Sequence, residues 1–139
     1  MRYWLFKSEP STWSWDDQVA RGDAGEPWDG VRNYQARNVM REMAVGDRGF
    51  FYHSQDEKAV VGIVEVVAPS RQDPTTEDPR WDCVTIRALE PLPRPVPLAA
   101  IKARDDLVGM ALVRQARLSV QPVEPAAWRA ILEMGGSSP

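Results

Sequence analysis

Between positions 28 and 38 the chain reads Trp28-Asp29-Gly30-Val31-Arg32-Asn33-Tyr34-Gln35-Ala36-Arg37-Asn38, and upstream stands Lys7-Ser8-Glu9-Pro10. A packed core has no use for a loop Trp, a Gly, two Arg and two Asn crowded into one window. A pocket for a flat, hydrogen-bonding ligand uses all of them. Trp offers a stacking face, Asn and backbone groups read an edge, and Arg meets phosphate. Ser8 follows a strand-like segment, which places a hydroxyl and a backbone N–H at a strand end. Trp28 follows Pro27 in a loop, where it serves either as a stacking wall or as a plug for the end of the sheet. Asn33 reads as a helix N-cap, which sets helix N–H groups beside whatever Trp28 covers. Tyr52 and His53 alternate on a strand, so one of them at most lines a given pocket. Arg117 and Ser119 share a phase on a short strand and can line one face.

Catalytic chemistry finds little support. The one His, His53, adjoins Ser54, and neighbours on a strand point to opposite faces, so the two cannot form a nucleophile–base pair. One His and one Cys (Cys83) fall short of a zinc set. There is no Gly-rich phosphate loop and no paired-carboxylate motif. No catalytic residue, metal or cofactor is assigned.

The length of 139 residues suits one domain with a real core. The apolar run 59–68 is broken by Gly62 and Glu65, too short for the roughly 20 residues of a membrane span, and the N-terminus has no signal-like apolar stretch. A single cysteine fits a reducing, cytoplasmic setting. The net charge of −3 argues against broad adhesion to phosphate backbones. Yet Arg32, Arg37 and Arg41 occur without an intervening acid, and a second basic run holds Lys102, Arg104, Arg114 and Arg117, so a local basic rim is compatible with an acidic chain.

The elements that must position these groups follow from pattern. Residues 3–7 form an aromatic-rich strand. Ser14 caps a short helix carrying Asp16 and Asp17 in its first turn. Residues 21–27 are a loop, and Ala36, Val39, Met40 and Met43 give the helical spacing that Gly46 ends. Residues 48–54 and 59–68 make a hairpin. Residues 69–81 form a Pro- and acid-rich excursion, and 82–89 a strand. Pro91, Pro93, Pro95 and Pro97 break regular structure. A short helix over 98–103, a strand over 118–121 and a helix opened by Pro125 complete the chain, with 1–134 as one domain and 135–139 as a frayed tail. This is an α+β chain: a small, curved mixed sheet or barrel flanked by short helices.

The two windows above, with Tyr3-Trp4-Leu5-Phe6, Phe51-Tyr52-His53-Ser54 and Arg117-Leu118-Ser119-Val120, resemble the EVE domain, a PUA-like family related to the YTH readers of methylated adenine. The resemblance spans nearly the whole chain and implies a PUA-like β-barrel with helices packed around it. In the related readers a modified base lies in an aromatic cage whose edge is read by main-chain and small polar groups. Carried over, Lys7, Ser8, Trp28, Val31, Arg32, Asn33 and the strand with Tyr52, His53 and Ser54 match the family pattern. The family often has Tyr at the place of Trp13, which here becomes a second candidate for stacking.

The expectation is therefore a non-catalytic, monomeric domain that binds a modified base in DNA or RNA and has no membrane partner. Trp28 and Trp13 would stack on a flipped-out or single-stranded base, with Ser8 and Asn33 at its edge. Arg32, Arg37, Arg117 and Ser119 would meet flanking phosphates. Burying one added methyl is worth about 0.8 kcal/mol, roughly fourfold in affinity. Two alternatives are a small nucleotide-directed enzyme or accessory using His53, and a protein–protein module.

Overall fold

The computed structural model describes residues 1–137. Six strands, β1 (Tyr3–Ser8), β2 (Glu26–Pro27), β3 (Arg48–His53), β4 (Ala59–Gln72), β5 (Asp82–Pro97) and β6 (Val120–Val123), join in one mixed sheet. Their order is β2-β5-β4-β3-β1-β6. β1 runs parallel to β3, while β1–β6, β3–β4, β4–β5 and β2–β5 are antiparallel. Five short helices flank it: α1 (Trp15–Ala20), α2 (Tyr34–Arg41), α3 (Leu98–Lys102), α4 (Ala111–Arg114) and α5 (Pro125–Met134).

The period-two alternation of β1 and β3 sorts side chains onto two cores. Leu5, Phe50 and Tyr52 enter one, with Trp128 and Ile131 of α5. Trp4, Phe6 and Phe51 enter the other, with Ala36, Val39 and Met40 of α2. Both faces of the central strands are thus dry, which accounts for the nearly unbroken apolar run of β4. Trp128 stacks on Phe50 at 4.1 Å and on Tyr3 at 4.4 Å, so α5 is tied to the sheet through aromatic faces.

Several expectations give way to the structure. The sheet is not closed into a barrel: β2 and β6 are its edges, and β2 is only two residues long, too short to continue the ladder round to β6. Curvature comes instead from register shifts, one at Phe51/Tyr52 and four along β4–β5. Nor do the four prolines break regular structure. β5 runs through them to Pro97, because β2 covers only Thr85 and Ile86 and leaves the later residues of β5 on an open edge. Proline is tolerated on such an edge, where its missing N–H is not needed. β4 likewise extends to Gln72, which shortens the excursion to 73–81. Residues 21–27, read as a loop, contain a 3-10 turn and the brief β2. The strand placed at 118–121 begins at Val120, so Arg117 and Ser119 lie in the turn before it rather than in phase along it.

At the tail, the Gly135 carbonyl accepts the Arg94 N–H at 3.1 Å and the Ser137 N–H donates to Leu132 at 2.9 Å, so 135–137 are tied down rather than frayed. Residues 138–139 lie outside the described residues.

Gly62 is the position on β4 where a side chain has no room. A Cβ there would sit 2.5 Å from the indole ring of Trp15, which lies flat across it. Gly62→Ala should displace Trp15 and α1, lowering stability by about 1–3 kcal/mol as overpacked cores do. Chemical denaturation with a two-state fit measures it.

Candidate functional site

A cavity of about 560 Å³ opens where β1 ends, between the loop that follows it and the loop joining β2 to α2. Its size falls within the roughly 300–1,000 Å³ of small-ligand sites. Lys7, Ser8, Trp13, Trp28, Val31 and Arg32 line it, joined by Ser119. Three acids also face it, Glu9, Glu26 and Asp29.

Each indole wall is fixed from behind. Trp28 is half-buried and sets its ring edge-on to Phe6 at 5.5 Å and Phe51 at 5.8 Å. Its backbone N–H extends the β2–β5 ladder by donating to the Val84 carbonyl at 2.8 Å. Trp28 is therefore both wall and partial plug, since one side packs on the core and the other is left to the cavity. Trp13 is held through its indole N–H, which donates to Gln18 Oε1 at 3.0 Å. Gln18 is fully buried and donates its own amide to the Ile86 carbonyl at 3.0 Å. A buried amide with both ends satisfied holds its partners in one geometry.

The floor is polar. Ser8 Oγ donates to the Trp13 carbonyl. The Ser8 carbonyl accepts from Ser54 N at 2.9 Å and Ser54 Oγ at 3.2 Å. Lys7 Nζ donates to the Ala116 carbonyl at 2.7 Å, and desolvation by burial lowers its pKa. Burial also raises the pKa of Asp29, with the nearby Asp73 charge adding to the effect.

Asp73 holds the outer wall. It comes from the β4–β5 excursion and is completely buried. One carboxylate oxygen accepts from Gly30 N at 2.8 Å and Arg32 Nη1 at 3.0 Å. The other accepts from the backbone N–H of Thr75 at 2.7 Å and from its hydroxyl. Desolvation works against the charge, but these donors outweigh it and bring the pKa down to about 2.

Other expected site residues lie elsewhere. Asn33 is an exposed N-cap, its Oδ1 accepting the Ala36 N–H at 2.9 Å, and takes no part in the lining. Tyr52 points into the opposite core, as strand alternation requires. His53 is used structurally: Nε2 accepts the Trp15 N–H at 3.0 Å, which leaves the proton on Nδ1 to donate to Glu57. Ser54 supports Ser8 from behind instead of facing the cavity. Arg37 lies on α2 over the Tyr34 ring, and Arg117 is exposed in its turn away from the lining. Sequence reading missed Asp73, Gln18 and the three acids. Asp73 and Gln18 act across chain separations of 41–43 and 68 residues, beyond any local spacing signal.

Among the described residues no cluster of three or more His, Cys, Asp or Glu is placed to hold a metal, and no helix is long and apolar enough to cross a membrane. The Cys83 thiol is buried and pushed up to about 11, chiefly by desolvation, which keeps it protonated.

Fold and cavity together define a small α+β domain that presents two indole walls at the ends of its strands. The chain belongs to the EVE domain family, whose model matches residues 2–134. It is 33% identical to zebrafish (Danio rerio) thymocyte nuclear protein 1 over 98% of this chain and 73% of that protein. A crystal structure of a protein from Agrobacterium tumefaciens superposes with a TM-score of 0.97 at 53% identity, covering 100% of this chain and 99% of the other. The human protein THYN1, solved in complex with DNA containing 5-methylcytosine, gives 0.91 at 30% identity over the whole of both chains. A YTH domain from Zygosaccharomyces rouxii shares the fold alone, with a TM-score of 0.58 at 14% identity over 99% of this chain and 88% of that one.

The low pKa of Asp73 carries a pH signature. A carboxylate depressed from 3.8 to about 2 contributes stability that is fully present above pH 4 and lost as pH falls through 2. Asp73→Asn should flatten that acid limb in denaturation experiments followed between pH 5 and 2. At neutral pH it should cost about 1.5–3 kcal/mol for the weakened bonds to a buried charge.

Proposed function

We propose that this chain is a non-catalytic reader of a modified base in nucleic acid, the base entering the cavity between Trp13 and Trp28. The observation that carries this reading is the pair of indoles, each fixed by interior contacts and each left with surface toward an open cavity. A site fixed before its ligand arrives avoids the ordering cost of binding. A base inside a duplex cannot reach such a cavity, so the substrate is an unpaired or flipped-out nucleotide. Stacking on aromatic walls supplies most of the affinity, at about 1–3 kcal/mol per base. The acids Glu9, Glu26 and Asp29 suit a base edge that donates hydrogen bonds, as the amino groups of cytosine and adenine do. Ser8 and main-chain groups complete the edge. Arg32 stands at the rim, with Arg37 and Arg117 further out for flanking phosphates. The relative solved with 5-methylcytosine DNA supports a methylated cytosine as the first base to test.

The enzyme reading with His53 has no geometry behind it, because both ring nitrogens are engaged and the ring does not line the cavity.

Affinities for single-stranded oligonucleotides with cytosine or 5-methylcytosine at one position test the reading. Burial of the methyl alone predicts a preference of roughly fourfold for the modified base, and no preference across methylated cytosine and adenine would contradict it. Trp13→Ala should weaken binding roughly 5- to 150-fold, the equivalent of about 1–3 kcal/mol of stacking. Trp28→Ala should do the same and also lower stability by about 2–3 kcal/mol, because it removes part of the core packing as well as a wall.

A further inference from the structure

Beside the cavity, the first turn of α2 and the β4–β5 excursion build a second aromatic surface. Tyr34 is 50% exposed and stacks on Trp81 with a 30° tilt between the rings, their centroids 5.0 Å apart. Trp81 is buried and forms the underside of the pair. Three guanidiniums surround it. Arg37 lies 4.9 Å over the Tyr34 ring, and Arg32 and Arg80 lie 5.5 and 5.8 Å over Trp81. Arg80 also donates to the Tyr34 hydroxyl at 3.2 Å.

Fold stability does not account for this arrangement. Tyr34 leaves half its surface in water on a helix whose buried face is already supplied by Ala36, Val39 and Met40. Arg80 pairs with Asp78 and Arg32 with the buried Asp73. Arg37 meets no carboxylate among the described residues, and donates instead to Asn38 and to the Arg80 carbonyl. A half-exposed ring stacked on a buried partner and overlain by a guanidinium that lacks an anion offers what unpaired nucleotides select: a π-face for the base as Arg37 turns to the phosphate, and that guanidinium for the phosphate itself. The surface is continuous with the cavity, because Arg32 both lines the cavity and overlies Trp81.

We propose that the Tyr34–Trp81 stack, with Arg37, is a second nucleotide site, which takes the unpaired neighbour of the captured base and the phosphate that links the two. The proposal rests on the base-reading function above and extends it: the domain grips a short single-stranded step rather than one base. The neighbour is bound without strong sequence preference, since stacking accepts the π-face of any base.

The test uses the whole chain and three probes: the nucleoside 5-methyl-2′-deoxycytidine, a single-stranded DNA hexamer with one central 5-methylcytosine, and the same hexamer with abasic sites flanking it. Tyr34→Ala should weaken the intact hexamer by about 5- to 30-fold, yet leave the nucleoside and the abasic hexamer within about twofold. Loss of its stack on Trp81 should lower the melting temperature slightly, with the protein still folded at the assay temperature. Arg37→Gln should lower hexamer affinity and reduce the salt slope by about one, again sparing the nucleoside. Equal loss on all three probes would show a structural role for Tyr34 and overturn the proposal. So would hexamer binding indifferent to both variants, while a methylation preference in that case would leave the base reading standing. Conversely, loss of the hexamer on Tyr34→Ala in a protein blind to methylation would sink the base reading and keep the second site.

Discussion

One buried carboxylate holds the cavity open. Asp73 sits on the β4–β5 excursion, far in sequence from the loop it controls, and gathers Gly30, Arg32 and Thr75 around one charge. Without it the segment after Trp28 would be a glycine-containing loop with nothing to fix its path. With it, Val31 and Arg32 become a wall, and Arg32 is aimed along the rim toward Trp81. Burying a charge is costly unless it is fully satisfied, and here every donor is short and convergent. Stability and site geometry are thus tied to the same four bonds.

The opposite wall is set by a different device. Gln18 reaches from α1 to the Ile86 carbonyl on β5 and gives its other end to the Trp13 indole. Its position depends on Trp15 lying across Gly62, which brings α1 close to the sheet. A base inserted between Trp13 and Trp28 would therefore meet two walls anchored to one strand, β5, through Ile86 on one side and Val84 on the other.

Much of this was legible in the residues. Apolar spacing located α2, the β3–β4 hairpin and α5, and the loop setting of Trp28 with Ser8 at a strand end pointed to the cavity. Errors arose where tertiary context overrides local rules. Four prolines suggest irregular chain until the open edge of β5 is known. Asn33 takes the N-cap role read for it but does not reach the cavity, and His53 is spent on Trp15, 38 residues away, and on Glu57. Asp73 lies in an acid-rich stretch that reads as solvated surface, and no spacing rule connects it to residues 30–32. The barrel implied by resemblance gives way to an open sheet because β2 is too short to close it.

The central claim is that a base is held between Trp13 and Trp28. Their indole N–H signals in an isotope-labelled protein give the most direct measurement, followed while a single-stranded DNA carrying one 5-methylcytosine is titrated in. The account predicts that these two resonances shift most among the six tryptophans, while Trp128 in the opposite core stays in place. Shifts concentrated at Trp128, or an absence of shifts at Trp13 and Trp28 under saturating ligand, would contradict it.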